Sequence, residues 1–187
     1  MGCMSKTLIL VEGESDKAAL LAVAARMQNP DQLSVVAMGG ITNIARFIGD
    51  AVAREVPFAG LYDADAEGHV TSALRRAGLV DANLAADLEA FGFFRCDPDL
   101  EAEMIAALGV GRVLDVVSGQ GEDMRRFLKL RQMPEWRGRS TEDQLVRWFG
   151  SGGGRKVRYA KLLGDAMSAE SVPAPLRRVL AFGNGVG

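Results

Sequence analysis

Thr7-Leu8-Ile9-Leu10-Val11-Glu12-Gly13-Glu14-Ser15-Asp16 is the stretch on which the fold turns. Thr7 to Val11 is a short β-rich apolar run without alternation, the pattern of a parallel strand buried on both faces. Glu12 ends it. Ser15 to Met27 follows, with Ala19, Leu20, Val23, Ala24 and Met27 at helical spacing, and Asn29-Pro30-Asp31 is the stop signal. Asp16 stands four residues after Glu12, in the first turn of that helix. A buried strand, an acidic strand end and an Ala- and Leu-rich helix make the first half of a βαβ unit.

Working outward, Leu33 to Met38 reads as a second strand and Gly39-Gly40 as a turn. Ile41 to Glu55 is an amphipathic helix with Ile44, Phe47, Ile48, Ala51 and Val52 on one side. Phe58 to Tyr62 is a third strand, Val70 to Ala77 a helix, Ala90 to Cys96 a fourth strand and Asp99 to Leu108 another helix. This alternation predicts a parallel sheet joined by right-handed crossovers. From Gly111 onward only helices are expected, at 112–117, 122–131, 141–149, 156–167 and 175–182. Gly150-Ser151-Gly152-Gly153-Gly154 is a flexible loop between two of them. The expected organisation is an α/β core over residues 1–110 and a helical extension over 111–187 packed on it.

The charges divide at the same place. The net charge of the 187 residues is only −2, but residues 1–111 hold 8 basic and 16 acidic side chains and the remainder 14 basic and 8 acidic. Hydrophobic residues make up 48% of the chain, enough for a sizeable core at this length. No run approaches the ~18 apolar residues of a membrane span, and the first ten residues lack the form of a signal peptide. Two cysteines, Cys3 and Cys96, exclude a disulfide framework and a cysteine zinc site. A reduced, cytoplasmic setting is expected.

The acids of the first part gather at strand ends. The first strand leads into Glu12 and Asp16, the third into Asp63 and Asp65, the fourth into Asp97, Asp99, Glu101 and Glu103. Ligands of open parallel sheets bind at the carboxyl edge, so three strands are predicted to deliver carboxylates to one place. A single acid after a strand is usually a helix cap or a solvated side chain; three such sites together call for a cation, because like charges within a few ångströms repel. Oxygen donors suit Mg²⁺ or Mn²⁺, and two such ions clamp the attacking and leaving oxygens of a phosphodiester. Without His and Cys donors, zinc does not fit.

These residues resemble the TOPRIM domain. Leu8-Ile9-Leu10-Val11-Glu12-Gly13-Glu14-Ser15-Asp16 looks like its opening glutamate motif. Gly39-Gly40, Leu61-Tyr62-Asp63-Ala64-Asp65 and Asp99-Leu100-Glu101 follow in the expected order. The form is nearer to the TOPRIM region of OLD-family (overcoming lysogenization defect) nucleases than to that of primases or topoisomerases, over residues 6–104 or so. The resemblance implies a Rossmann-like fold that binds Mg²⁺ or Mn²⁺ and cleaves DNA or RNA. It implies Glu12 as metal ligand or general acid/base, Asp16 as support, Asp63, Asp65 and Glu101 as ligands, and Asp99 beside them. It also implies a transition-state lysine in a later helix, with Lys156 the first candidate and Lys161 the second. OLD proteins carry an ATPase domain ahead of this region, and no G-x-x-x-x-G-K-[ST] motif occurs here. ATP hydrolysis is therefore assigned to a separate ATPase partner, if to any.

The basic helices add Arg125, Arg126, Arg137, Arg139, Arg155, Lys156, Arg158 and Lys161 as phosphate-backbone contacts, the helix that carries the last four being equally readable as a solvated surface. Gly39 and Gly40 either admit a phosphate to backbone amides or form a tight turn. His69 reads as incidental to a polar loop, Cys96 as core, and Trp136 and Trp148 as packing or base-stacking rings. Tyr62 lies in a buried strand, which argues against a topoisomerase nucleophile. Beside the nuclease stands another class of function, a non-catalytic TOPRIM-like module that binds nucleotide or nucleic acid and regulates a partner such as an ATPase. The residues do not specify the oligomeric state.

Overall fold

A computed structural model of the chain describes residues 6–27, 33–81, 87–152 and 154–184. Four parallel strands form one sheet in the order β2-β1-β3-β4, with β1 at Thr7–Val11, β2 at Leu33–Ala37, β3 at Phe58–Asp63 and β4 at Phe93–Cys96. The central positions go to the strands whose sequences are most continuously apolar. Ile9 of β1 stands between Val35 of β2 and Ala59 of β3, and Gly60 pairs with Phe93 of β4. The α/β fold read from the sequence is the observed one.

Helices cover both faces. α1 (Glu14–Arg26), α2 (Ile44–Ala53), α3 (Glu67–Arg76) and α4 (Leu100–Leu108) follow the strands in turn. Leu10, Tyr62 and Phe93 point to one face and pack with Ile44, Ile48, Val70 and Leu74 of α2 and α3. Ile9, Val11, Ala59, Leu61 and Phe94 point to the other, alternating as strand geometry requires. There they meet α1 and helices of the second half of the chain: α5 (Val110–Ser118), α6 (Asp123–Gln132), α7 (Thr141–Gly150), α8 (Arg155–Ala166) and α9 (Ala174–Gly183). α9 crosses β1, β3 and β4, while α8 lies along α1.

The α1–α8 contact is unusually close. A Cβ on Gly164 would stand 2.8 Å from the Ala22 Cβ and 3.0 Å from the Ala19 carbonyl oxygen. Small residues at the crossing let the two backbones approach, and α8 is thereby fixed about two turns after Lys156.

Element bounds differ from the sequence expectation in places, for local reasons. α3 starts at Glu67 rather than Val70, because Glu67, Gly68 and His69 are exposed and carry no apolar period; His69 is thus helical. The fourth strand starts at Phe93 rather than Ala90, because Glu89–Phe91 forms a 3₁₀ turn. That turn closes on Gly92, at φ 79°, and a Cβ there would meet the Phe182 ring at 2.7 Å. The expected stop at Asn29-Pro30-Asp31, Cys3 and Gly153 of the glycine loop lie outside the described residues. Among the described residues no helix is long and apolar enough to cross a membrane.

Gly164→Leu forces α8 off α1. It is expected to lower unfolding free energy by about 1–3 kcal/mol, the usual cost of overpacking, as read from urea unfolding followed by circular dichroism. Parent-like stability of this variant contradicts the close packing.

Candidate active site

The carboxyl edge of the sheet collects the acids that follow β1, β3 and β4. Glu12 follows β1 directly and is half-buried. Asp16, in the first turn of α1, reaches back so that its Oδ2 accepts the Gly13 N–H at 2.8 Å, while the Ser15 hydroxyl donates to Oδ1 at 3.4 Å. Asp63 is the last residue of β3. Beyond it the Ala64 N–H donates to the Pro98 carbonyl at 3.0 Å, tying the loop after β3 to the loop after β4. Asp99 caps α4, its Oδ1 accepting the Ala102 N–H at 2.8 Å, and Glu101 is buried in the first turn of that helix.

Lys156 completes the group. Its Nζ lies 3.1 Å from Glu101 Oε1, brought there by the seating of α8 on α1. Burial opposes the ammonium, but Glu101, Asp16 and Asp63 outweigh it and hold Lys156 above its ordinary pKa. Glu101 is itself raised, first by burial and then by Asp16 and Asp99, against the pull of Lys156. Burial also raises Asp16, with the Gly13 amide and Lys156 opposing. The largest effect falls on Asp63: burial, then the carboxylates of Asp16, Asp99, Glu101 and Glu12, push it up to about 7. One lysine thus faces a group of acids whose mutual repulsion it does not cancel.

Residues 4–65 match the family model described as overcoming lysogenization defect protein-like, TOPRIM domain. The C-terminal region of the Xanthomonas campestris pv. campestris OLD protein aligns with TM-score 0.76 at 24% identity over 97% of this chain and 94% of that one. Another structure of the same region gives 0.74 at 22% identity over 99% and 98%. The C-terminal region of the Burkholderia pseudomallei OLD protein gives 0.72 at 24% identity over 98% and 99%. The chain has the OLD-type TOPRIM fold. No curated protein matches it in sequence. The family match spans Glu12, Asp16, Gly39, Gly40, Asp63 and Asp65 but stops short of the 6–104 suggested by motif order; Asp99, Glu101 and Lys156 join through the fold.

Within this TOPRIM fold the other predicted site residues are distributed as follows. Asp65 is exposed in the 3₁₀ turn after β3. Gly39 and Gly40 have φ of 74° and 121°, and the Gly40 N–H donates to the Glu12 carbonyl at 3.1 Å, so this pair shapes the turn that holds Glu12. Lys161 pairs with Asp165 at 2.6 Å on the exposed side of α8. Arg125 pairs with Glu122 at 2.8 Å, and Arg137 donates to the Gln132 carbonyl at 3.0 Å. Arg155 lies 3.7 Å over the Trp148 ring and donates to the Trp148 carbonyl, while Arg158 pairs with the buried Asp123. Asp123 also accepts the Tyr159 hydroxyl at 2.8 Å, so both contacts anchor α8 to α6. Arg126, Arg155 and Arg158 share a cleft of about 320 Å³. Cys96 is buried in β4 and its thiol is pushed up by burial, in keeping with a core role.

Glu103, one of the acids expected after the fourth strand, accepts the Asp97 N–H at its Oε1 at 3.2 Å; sequence reading passed over Arg95, which pairs with Asp97 at 3.0 Å and Glu67 at 3.4 Å. It also passed over Arg147, which shares the Trp136 ring with Arg139. Glu67 in α3, the distant partner of Arg95, and the Trp136 ring near Arg147 lie outside the elements that carry these arginines, so spacing carried no signal for those contacts.

Among the described residues, no three His, Cys, Asp or Glu side chains stand close enough to enclose a cation as they are placed. The donor chemistry nevertheless fits a hard divalent ion: the groups are oxygen donors, and burial first, with the neighbouring carboxylates adding to it, favours the protonated form of Asp63 when no cation is held.

In the folded chain Asp63 keeps its proton up to about pH 7, against an ordinary value of 3.8, so the folded state binds the extra proton between those limits and loses stability as pH rises across them. Asp63→Asn is therefore expected to be more stable than the parent in EDTA at pH 8, on the order of 1–2 kcal/mol after discounting for solvent screening. The difference should vanish near about pH 4. Equal unfolding midpoints of parent and variant at both pH values would remove this account of Asp63, burial and neighbouring carboxylates together.

Proposed function

We propose that the chain is an OLD-type nuclease: a metal-dependent enzyme that hydrolyses phosphodiester bonds of DNA or RNA in the cytoplasm. The observation that carries this reading is the gathering of Asp16, Asp99, Glu101 and Glu12 about a part-buried Asp63 at the carboxyl edge of the sheet, where burial and then those carboxylates push its carboxyl up to about 7. Such a group gains by holding Mg²⁺ or Mn²⁺, and the resemblance in motif order and fold supports the same chemistry. Glu12, Asp63 and Asp65 would hold the cations with Asp99 and Glu101, and Asp16 would support Glu12. Two such ions, when bound, activate water and neutralise charge on the phosphoryl oxygens.

The rest of the work falls to the chain itself. Asp16 stays oriented by the Gly13 amide, which fixes the first turn of α1 beside Glu12. Lys156 carries a positive charge at the edge of the cluster, stabilised by Glu101, where it would meet developing negative charge on the phosphate. The basic helices over 111–187 would hold the nucleic-acid backbone in a salt-sensitive, largely sequence-independent way, with residues 1–110 as the catalytic core.

A rival reading is a TOPRIM-like module that binds nucleotide or nucleic acid without cutting it and regulates a partner such as a separate ATPase. The Lys156–Glu101 pair favours it to a degree, since a lysine already neutralises one of the acids. Labelled DNA and RNA incubated with Mg²⁺, Mn²⁺ or EDTA, beside Mn²⁺ calorimetry, separate the two. The nuclease reading expects metal-dependent cleavage by the parent and at least a hundredfold loss in Glu12→Gln and Asp63→Asn, both still folded, as expected when charge stabilisation is removed. Mn²⁺ binding without turnover in the parent establishes the rival instead.

A further inference from the structure

A cavity of about 750 Å³ opens beside the carboxylate edge, within the size range of ligand pockets. Asp97 and Asp99 form its lip, so it shares Asp99 with the cluster around Asp63. Its floor is apolar, from Ile105, Val110 and Val146. Its far wall is Trp136, half-buried, with the guanidinium carbons of Arg139 and Arg147 at 5.3 Å and 5.9 Å from the ring centroid. This wall is built rather than incidental. Gln144, buried in α7, donates from Nε2 to the Trp136 carbonyl at 2.8 Å and the Arg139 carbonyl at 3.3 Å. The Arg139 Nε donates to the Glu135 carbonyl at 3.0 Å, holding the side chain near the indole.

The lining selects its occupant. Asp97, Asp99, Glu142 and Asp143 line the pocket along with Arg139 and Arg147, four acids against two bases, so a phosphate is disfavoured there. A flat uncharged ring is favoured, because an indole and two guanidinium planes offer stacking surfaces and the carboxylates accept hydrogen bonds from exocyclic amines. A base inside a duplex cannot present its face to such a wall; an unstacked one can.

We propose that this pocket seats a nucleobase of single-stranded or unpaired nucleic acid next to the bond to be cut. The inference rests on the phosphodiesterase reading and gives it a substrate class: strands with unstacked bases, in preference to continuous duplex.

The test uses the full chain and fluorescein-labelled oligonucleotides, with anisotropy measured in EDTA so that nothing is cut. The parent should bind a single strand more tightly than the matching blunt duplex. An abasic residue walked along the single strand should weaken binding about tenfold at one position, the scale of losing one stacked base. Trp136→Ala should lower single-strand affinity by a similar factor and become insensitive to the abasic residue, whereas Trp136→Phe should restore most of the loss. If Trp136→Ala does not fold, the abasic scan on the parent decides alone. A flat abasic scan, or single-strand binding no tighter than duplex, overturns the pocket assignment. Incubating the same strands with Mn²⁺ keeps the two readings apart: cleavage with a flat scan refutes the pocket and retains the nuclease. A position-specific scan without cleavage supports the pocket and refutes the nuclease.

Discussion

The contact between α1 and α8 at Gly164 is the constraint on which the rest of the site depends. Two helices from opposite ends of the chain approach until a single Cβ would touch both Ala22 and the Ala19 backbone. α1 carries Asp16 at its start, and α8 carries Lys156 at its own. Close seating of one on the other therefore sets the distance between a carboxylate group built by the sheet and the cation that faces it. α6 adds the second anchor, since buried Asp123 takes both Arg158 and Tyr159 of α8. A buried charge with those partners is costly to disrupt, because removing either side leaves an unpaired group out of water.

That arrangement stores electrostatic tension at the carboxyl edge. Parallel strands place their ends together, helix starts bring further acids, and hydrogen bonds such as Ala64 to Pro98 lock adjacent loops in register. The folding energy comes from elsewhere, from apolar layers on both faces of β1 and β3. The core thus sustains an edge that would not assemble for its own stability, which is the usual relation between a rigid scaffold and the polar groups it displays.

Several features of this site were legible in the residues. Glu12 and Asp63 are each the first acid after a continuous apolar run, and in a parallel sheet a strand end is a place as well as a position in sequence. Asp99 was equally readable as a cap, and the structure gives it that role while keeping it among the neighbours of Asp63. The arginines of the second half were less legible. A basic residue looks the same in sequence whether it meets solvent, a buried Asp123 or an indole, and Arg155 and Arg158 prove to have partners within the protein. Gln144 and Arg147 reach Trp136 within the turn that leads into α7, and only the packing of α7 beside α4 makes that group one side of a pocket.

The sequence by itself determined the alternation of strands and helices, the parallel sheet and the delivery of acids to strand ends, because burial on two faces and helical period are local patterns. Tertiary structure decided which cation meets those acids, which glycine turns and which touches, and where an aromatic pocket opens beside Asp99. Those outcomes depend on distances between elements far apart in the chain. Such distances follow from how closely side chains of particular volume allow backbones to approach, as at Gly164, and no short stretch of sequence records them.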